Sequence, residues 1–227
     1  MAKGYKPAEP VADGRLLRKF AEAGLDGADW YDRGQDQIAD LCNREGWSVK
    51  RFTDTLAILS PQVSVRRNIR LAIQYNATGR LLSNVMGGVR RSLDVYNATG
   101  KVSGPKVSKF AAALQGDRSA IVLDTWMARA LLVAELDPSL AKLRRVATRE
   151  LACKRIKAVA KRLNLCPRDC QAAIWAGIIR EFNGNPARLD IAGEYETWLA
   201  YGREFPATGD IVADPHYSGA TSDGNVF

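Results

Sequence analysis

Four stretches of this chain carry residue types at spacings suited to chemistry. The segment Gly100-Lys101-Val102-Ser103-Gly104-Pro105-Lys106-Val107-Ser108-Lys109 runs a glycine-containing turn straight into a helical pattern. A helix start leaves backbone N–H groups unpaired at the positive end of the helix dipole, so such a turn suits a phosphate, with Lys101, Lys106 and Lys109 as cations around it. Asp124 closes the apolar run Ile121-Val122-Leu123 just ahead of a new helical pattern. There it is first of all a helix cap, and a capping carboxylate is also a fixed negative charge. The third stretch, Ser60-Pro61-Gln62-Val63-Ser64, is a tight polar turn followed at once by Arg66 and Arg67. In the fourth, residues 142–162 hold Lys142, Arg144, Arg145, Arg149, Lys154, Arg155, Lys157, Lys161 and Arg162 against the single acid Glu150. A run of this kind is either a solvated helix face or a surface that tracks phosphates.

Other chemistry is disfavoured by what is scarce. His216 is the only histidine, so a His-based triad, a multi-His zinc site and a His acid–base pair are not expected. The four cysteines are Cys42, Cys153, Cys166 and Cys170. In a chain with no secretory pattern at Met1–Lys6 they point to reduced thiols and a cytoplasmic setting. The Cys166-x-x-x-Cys170 pair alone suggests two small core residues rather than a metal site. No run reaches about 18 uncharged apolar residues, so no membrane span is expected.

The elements that must position these groups are helices. Apolar residues recur at helical spacing at Leu16, Leu17 and Phe20, at Ile38 and Leu41, and from Phe52 to Leu59. Ser48 and Ser64 are the expected caps of two successive helices, the first ending before Pro61. The near-copies Tyr75-Asn-Ala-Thr-Gly79 and Tyr96-Asn-Ala-Thr-Gly100 read as helix ends closed by glycine. Further stripes cover 107–114, 126–133, 140–163 with a break near Thr148, and 172–182, where Trp175 reads as a core residue. Only 120–123 is compatible with a short strand, so the fold class is all-α. Residues 1–14 read as a flexible arm and 205–227 as a mobile tail.

Charge sharpens the picture. Thirty-three Lys and Arg against 25 Asp and Glu give +8. Asp210, Asp214 and Asp223 are the only charged residues from 205 onward, so residues 1–204 carry +11. With 46% hydrophobic residues the chain is ordinary globular material, and its basic body suits a polyanionic partner.

Leu59-Ser60-Pro61-Gln62, then Val102-Ser103-Gly104-Pro105-Lys106, then Leu123-Asp124 eighteen residues after that lysine, resemble the helix-hairpin-helix DNA glycosylase superfamily. The likeness covers roughly residues 50–180 and extends to small proteins encoded by bacteriophages. Three features depart from the family pattern. Val102 stands in place of the first hairpin glycine, Trp126 stands in place of a histidine, and the four-cysteine iron–sulfur signature is absent.

The resemblance implies a two-lobed helical fold with its active site between a lobe around 50–135 and a second lobe from 15–49 plus 136–204. It implies a monomeric enzyme without cofactor or metal, acting on double-stranded DNA in the cytoplasm, that of the host cell for a phage protein. Lys106 and Asp124 become the catalytic residues. Ser60, Gln62, Arg66, Arg67, Lys101, Gly104, Lys109, Arg144 and Arg145 become DNA contacts, and Trp126 a base-pocket residue. The implied activity is a DNA glycosylase with lyase function, which flips a damaged or modified base, cleaves its glycosidic bond with aspartate assistance and forms a lysine Schiff base. Two other readings stay open. One is a phage transferase that modifies a base on the same scaffold, and the other a non-catalytic basic DNA-binding protein.

Overall fold

In the computed structural model, residues 11–81, 85–131, 145–182, 184–203 and 205 are described. Among them the chain is entirely helical, with no strand. Ten α-helices follow in order: α1 Gly14–Ala23, α2 Trp30–Glu45, α3 Val49–Leu59, α4 Val65–Thr78, α5 Gly87–Thr99, α6 Pro105–Leu114, α7 Thr125–Leu131, α8 Val146–Leu163, α9 Pro167–Glu181 and α10 Ile191–Ala200. A 3-10 turn at Leu25–Gly27 links α1 to α2. The stretch 120–123 is irregular, with Ala120, Ile121 and Val122 buried.

Local chemistry explains most of the boundaries. Ser48 caps α3 by accepting the Arg51 N–H at 3.3 Å, and Ser64 caps α4 by accepting that of Arg67 at 3.3 Å. Both near-copies end as their glycines require: Gly79 and Gly100 adopt left-handed conformations with φ of 68° and 67°. The break expected near Thr148 is not a break inside a helix, since α8 runs unbroken from Val146 to Leu163.

The chain divides into two compact units, one of Met1–Asp32 with Ala112–Pro186 and one of Arg33–Ala111 with Ala187–Phe227. These boundaries differ from the 50 and 135 expected from the resemblance.

In the first unit α9 is central, packing on α1, α7 and α8. Leu17 and Phe20 of α1, Met127 and Leu131 of α7, Ile156 of α8 and Ile174 and Ile178 of α9 share one core. The approach of α1 to α9 is backbone against backbone. A Cβ at Gly177 would stand 1.9 Å from the Phe20 carbonyl oxygen, and one at Gly24 2.2 Å from that of Ala173. Glycine inside a helix costs about 1 kcal/mol relative to alanine; here only glycine fits. The loose arm expected over 1–14 gives way to packed chain from residue 11. Val11 is buried, the Ala12 N–H donates to the Leu131 carbonyl at 2.7 Å, and Arg155 donates to the Val11 carbonyl. Residues 1–10, and the expected mobile tail from residue 206, lie outside the described residues.

In the second unit α3 packs on α4 and α5, and α4 on α10. Its interior holds Phe52, Leu56, Ile69, Ile73 and Trp198, with Trp47 against both Phe52 and Trp198. Polar side chains tie the helices inside it. Asp54 accepts from Tyr96 at 3.0 Å and from Lys50 at 2.6 Å, and Asn76 donates to the Thr55 hydroxyl at 2.7 Å.

Candidate functional site

The turn between α5 and α6 lies in the second unit. Gly100 closes α5, its N–H donating to the Tyr96 carbonyl at 2.7 Å. Gly104 has φ 90°, where an L side chain is strained, and no atom lies within 4 Å of the position a Cβ would take. The backbone there is open to close approach. Pro105 starts α6, a position where its missing N–H costs nothing, and the Ser108 hydroxyl donates to the Gly104 carbonyl at 2.7 Å. Lys106 sits half-buried in the first turn of α6, while Lys101 and Lys109 are exposed.

The turn between α3 and α4 is in the same unit. Ser60 is buried and its hydroxyl donates to the Ala57 carbonyl at 2.8 Å, finishing α3. Gln62 is exposed and holds φ 56°, uncommon for a residue other than glycine and costing on the order of 1 kcal/mol or more. Arg66 and Arg70 donate through Nε to the two oxygens of Glu194 on α10, at 2.6 and 2.5 Å. Arg66, expected at DNA, therefore has a protein partner, though most of its side chain is exposed. Arg67 is half-buried.

Asp124 lies in the first unit, immediately before α7. Its Oδ1 accepts the Met127 N–H at 2.8 Å and its main-chain oxygen accepts that of Ala128 at 2.8 Å, so the capping role read from sequence holds. Its Oδ2 accepts the Trp175 indole N–H at 3.2 Å. Trp175 is thus not a plain core residue; it is half-buried with its polar edge on Asp124. The Trp30 ring lies 6.0 Å from that of Trp175. Beside it Tyr31 is buried and donates to Gln171 at 3.0 Å. Burial, and then the Asp124 charge, push the Tyr31 phenol far above its ordinary range, so it stays protonated. Trp126 faces away to another group, with Phe182 at 6.1 Å and the Arg129 guanidinium 4.3 Å above its ring.

The two residues singled out by spacing therefore belong to different units, Lys106 to the second and Asp124 to the first.

Of the basic run, Lys142 and Arg144 lie outside the described residues. Arg145 is exposed at the N-cap position of α8. Thr148, Ala152, Ile156 and Val159 turn one face of α8 inward, and Lys154, Lys157, Lys161 and Arg162 lie on the exposed face. Arg149 and Arg155 are half-buried, Arg155 drawn in by the Val11 and Ala12 carbonyls.

The cysteines have local roles. Cys166 caps α9, its sulfur accepting the Asp169 N–H at 3.4 Å. Cys170 is buried against the Ile156 carbonyl, and burial pushes its thiol up to about 12. Among the described residues no group of three or more His, Cys, Asp and Glu is arranged to hold a metal ion. Sequence reading passed over the residue between these cysteines. Arg168 is 1% exposed, donates to Asp169 at 2.9 Å and to Asp32, and lies 5.6 Å from the Tyr31 ring. Arg118 adds a second guanidinium to Asp169 at 2.9 Å.

Residues 15–182, most of the chain, match the model of a protein family described as "Family of unknown function (DUF7178)". The chain belongs to that family. No curated protein and no solved structure matches it.

Proposed function

We propose that this protein is a DNA glycosylase with lyase activity, acting on a damaged or modified base in double-stranded DNA. The observation that carries the reading is the turn between α5 and α6. Two glycines of positive φ leave the backbone open, and Lys106 follows in the first turn of the next helix. An open glycine turn at a helix start accepts a phosphate oxygen, and three lysines lie on or beside it. The basic outer face of α8 gives a second cationic surface for a duplex.

In this reading the target nucleotide leaves the stack at a cost of a few kcal/mol, and Gln62, exposed on a left-handed turn, fills the gap. Cleavage of the glycosidic bond builds positive charge on the sugar, which the ionised Asp124 stabilises. Lys106, in its neutral form, attacks C1′ as the C1′–N bond to the base breaks. The base leaves with the bonding electrons and takes up a proton; the amine gives up one proton, and its lone pair then expels O4′, which is protonated as the sugar ring opens, leaving a C1′=N iminium that keeps one N–H. β-Elimination then breaks the C3′–O bond and nicks the strand.

The test is a panel of duplexes, each with one altered base, assayed for base release, strand nicking and borohydride-trapped adducts. Base release with an adduct that disappears in Lys106→Ala supports the reading. An adduct that survives in Lys106→Ala removes that lysine. A base that gains mass while its strand stays whole replaces the glycosylase with a transferase, and binding without any product leaves a DNA-binding protein.

A further inference from the structure

We infer that Trp175 is the positioning residue for Asp124: its indole N–H pins Oδ2 while the α7 backbone pins Oδ1, holding the carboxylate in one orientation. The inference rests on the reading that Asp124 is the carboxylate that meets the reacting sugar.

A capping aspartate needs only one oxygen for its helix. Oδ1 meets that need through the Met127 N–H at 2.8 Å. In an exposed cap the other oxygen is ordinarily left to water. Here Trp175 reaches it from α9, fifty-one residues further along the chain, at 3.2 Å. An indole has one donor and no acceptor, so this contact fixes a direction as well as a partner.

The indole is itself held firmly. Its neighbours in α9, Ile174 and Ala176, are buried, and Trp30 leans on the ring at 58°. The glycine contacts of α1 with α9 set the height of that helix, because any added Cβ there would strike main-chain atoms. The Asp124 charge acts on the Tyr31 phenol of α2, and Arg168 of α9 acts on the same phenol with the opposite sign. Two hydrogen bonds to the charged form favour ionisation, and a carboxylate already oriented needs no reorganisation as charge develops on the sugar.

The full-length protein, labelled with 13C, gives the test. The Asp124 carboxyl signal, assigned by its loss in Asp124→Asn, is titrated in the wild type and in Trp175→Phe. Phenylalanine keeps an aromatic ring but loses the N–H. The expected result is a midpoint higher by about half a unit or more in Trp175→Phe. Single-turnover base release should fall about tenfold with unchanged duplex affinity. Equal midpoints overturn the inference, as does wild-type base release by Trp175→Phe across the pH range. Should that variant fail to fold, the 15N indole signal of Trp175 in the wild type decides: it must move through the Asp124 midpoint, and a static signal overturns the inference. Absence of base release from every duplex by the wild type sinks the glycosylase reading separately, and the midpoints still decide whether Trp175 governs the carboxylate.

Discussion

Glu194 in the second unit and Asp124 in the first are both carboxylates whose two oxygens each accept a hydrogen bond, and they differ in what donates. Glu194 accepts from two guanidinium groups, Arg66 and Arg70, with its side chain 9% exposed. Asp124 accepts from a backbone amide and an indole. Guanidinium partners cancel a negative charge and tie two helices together; backbone and indole N–H donors fix the direction of a carboxylate. One geometry thus ties α4 to α10 in one unit and fixes the direction of a helix-capping carboxylate, the one proposed to meet the reacting sugar, in the other.

The largest expected effect breaks the assembly side of this comparison. Glu194→Ala leaves the largely covered Arg70, its side chain 13% exposed, without this carboxylate and should cost about 3 kcal/mol, read from the urea midpoint. Joint replacement of Arg70 and Glu194 by leucine should recover most of that loss. Next comes the orienting side. Asp124→Asn should lower base release about 10²–10³-fold while stability falls by about 1 kcal/mol, because asparagine still caps the helix but leaves the Trp175 N–H without its acceptor. A stability loss as large as that of Glu194→Ala would make the two carboxylates alike and remove the distinction. Gly177→Ala should cost about 1–3 kcal/mol in thermal unfolding, since the new Cβ meets main chain. By shifting α9 it should also slow base release more than a Glu194 variant of equal stability.

Smaller effects refine the picture. Replacing Lys154, Lys157 and Lys161 by glutamine should flatten the salt dependence of duplex binding by about one unit of slope per lysine in phosphate contact. An unchanged slope would remove α8 from the proposed DNA surface. Tyr96, donor to the buried Asp54, tests a third carboxylate. Burial, then that hydrogen bond, push its phenol from 10.0 up to about 12. A raised folded value means that its stabilisation is complete below about pH 10 and is lost as pH climbs through about 12. Tyr96→Phe should therefore flatten the alkaline limb of the stability curve.

What the sequence made legible follows from the range of each interaction. Caps at Ser48, Ser64 and Asp124 and the glycine ends at Gly79 and Gly100 depend on residues within a turn or two, and all were readable. The lysine turn was readable for the same reason. Pairings across long stretches of chain were not. Nothing near Arg66 announces Glu194, 128 residues away, and Trp175 sits in so regular an apolar stripe that its polar edge goes unnoticed. Arg168 was hidden by its neighbours, because Cys166-Pro-Arg-Asp-Cys170 draws attention to sulfur while the buried ion pairs run through the arginine and the aspartate. Gly24 and Gly177 gave no signal either, since a glycine that admits another backbone looks in sequence like any other.

Those two glycines have a consequence for how the protein is made. They face each other's helices across 153 positions of the chain, so α1 leaves the ribosome long before the surface it fits. At about 5–20 residues per second, roughly 8–30 s of translation separate the two. Throughout that interval Leu17, Phe20 and Ala21, which end fully covered, have no α9 to cover them. The first unit can close only when synthesis has passed residue 177, and until then the apolar face of α1 is open to wrong contacts.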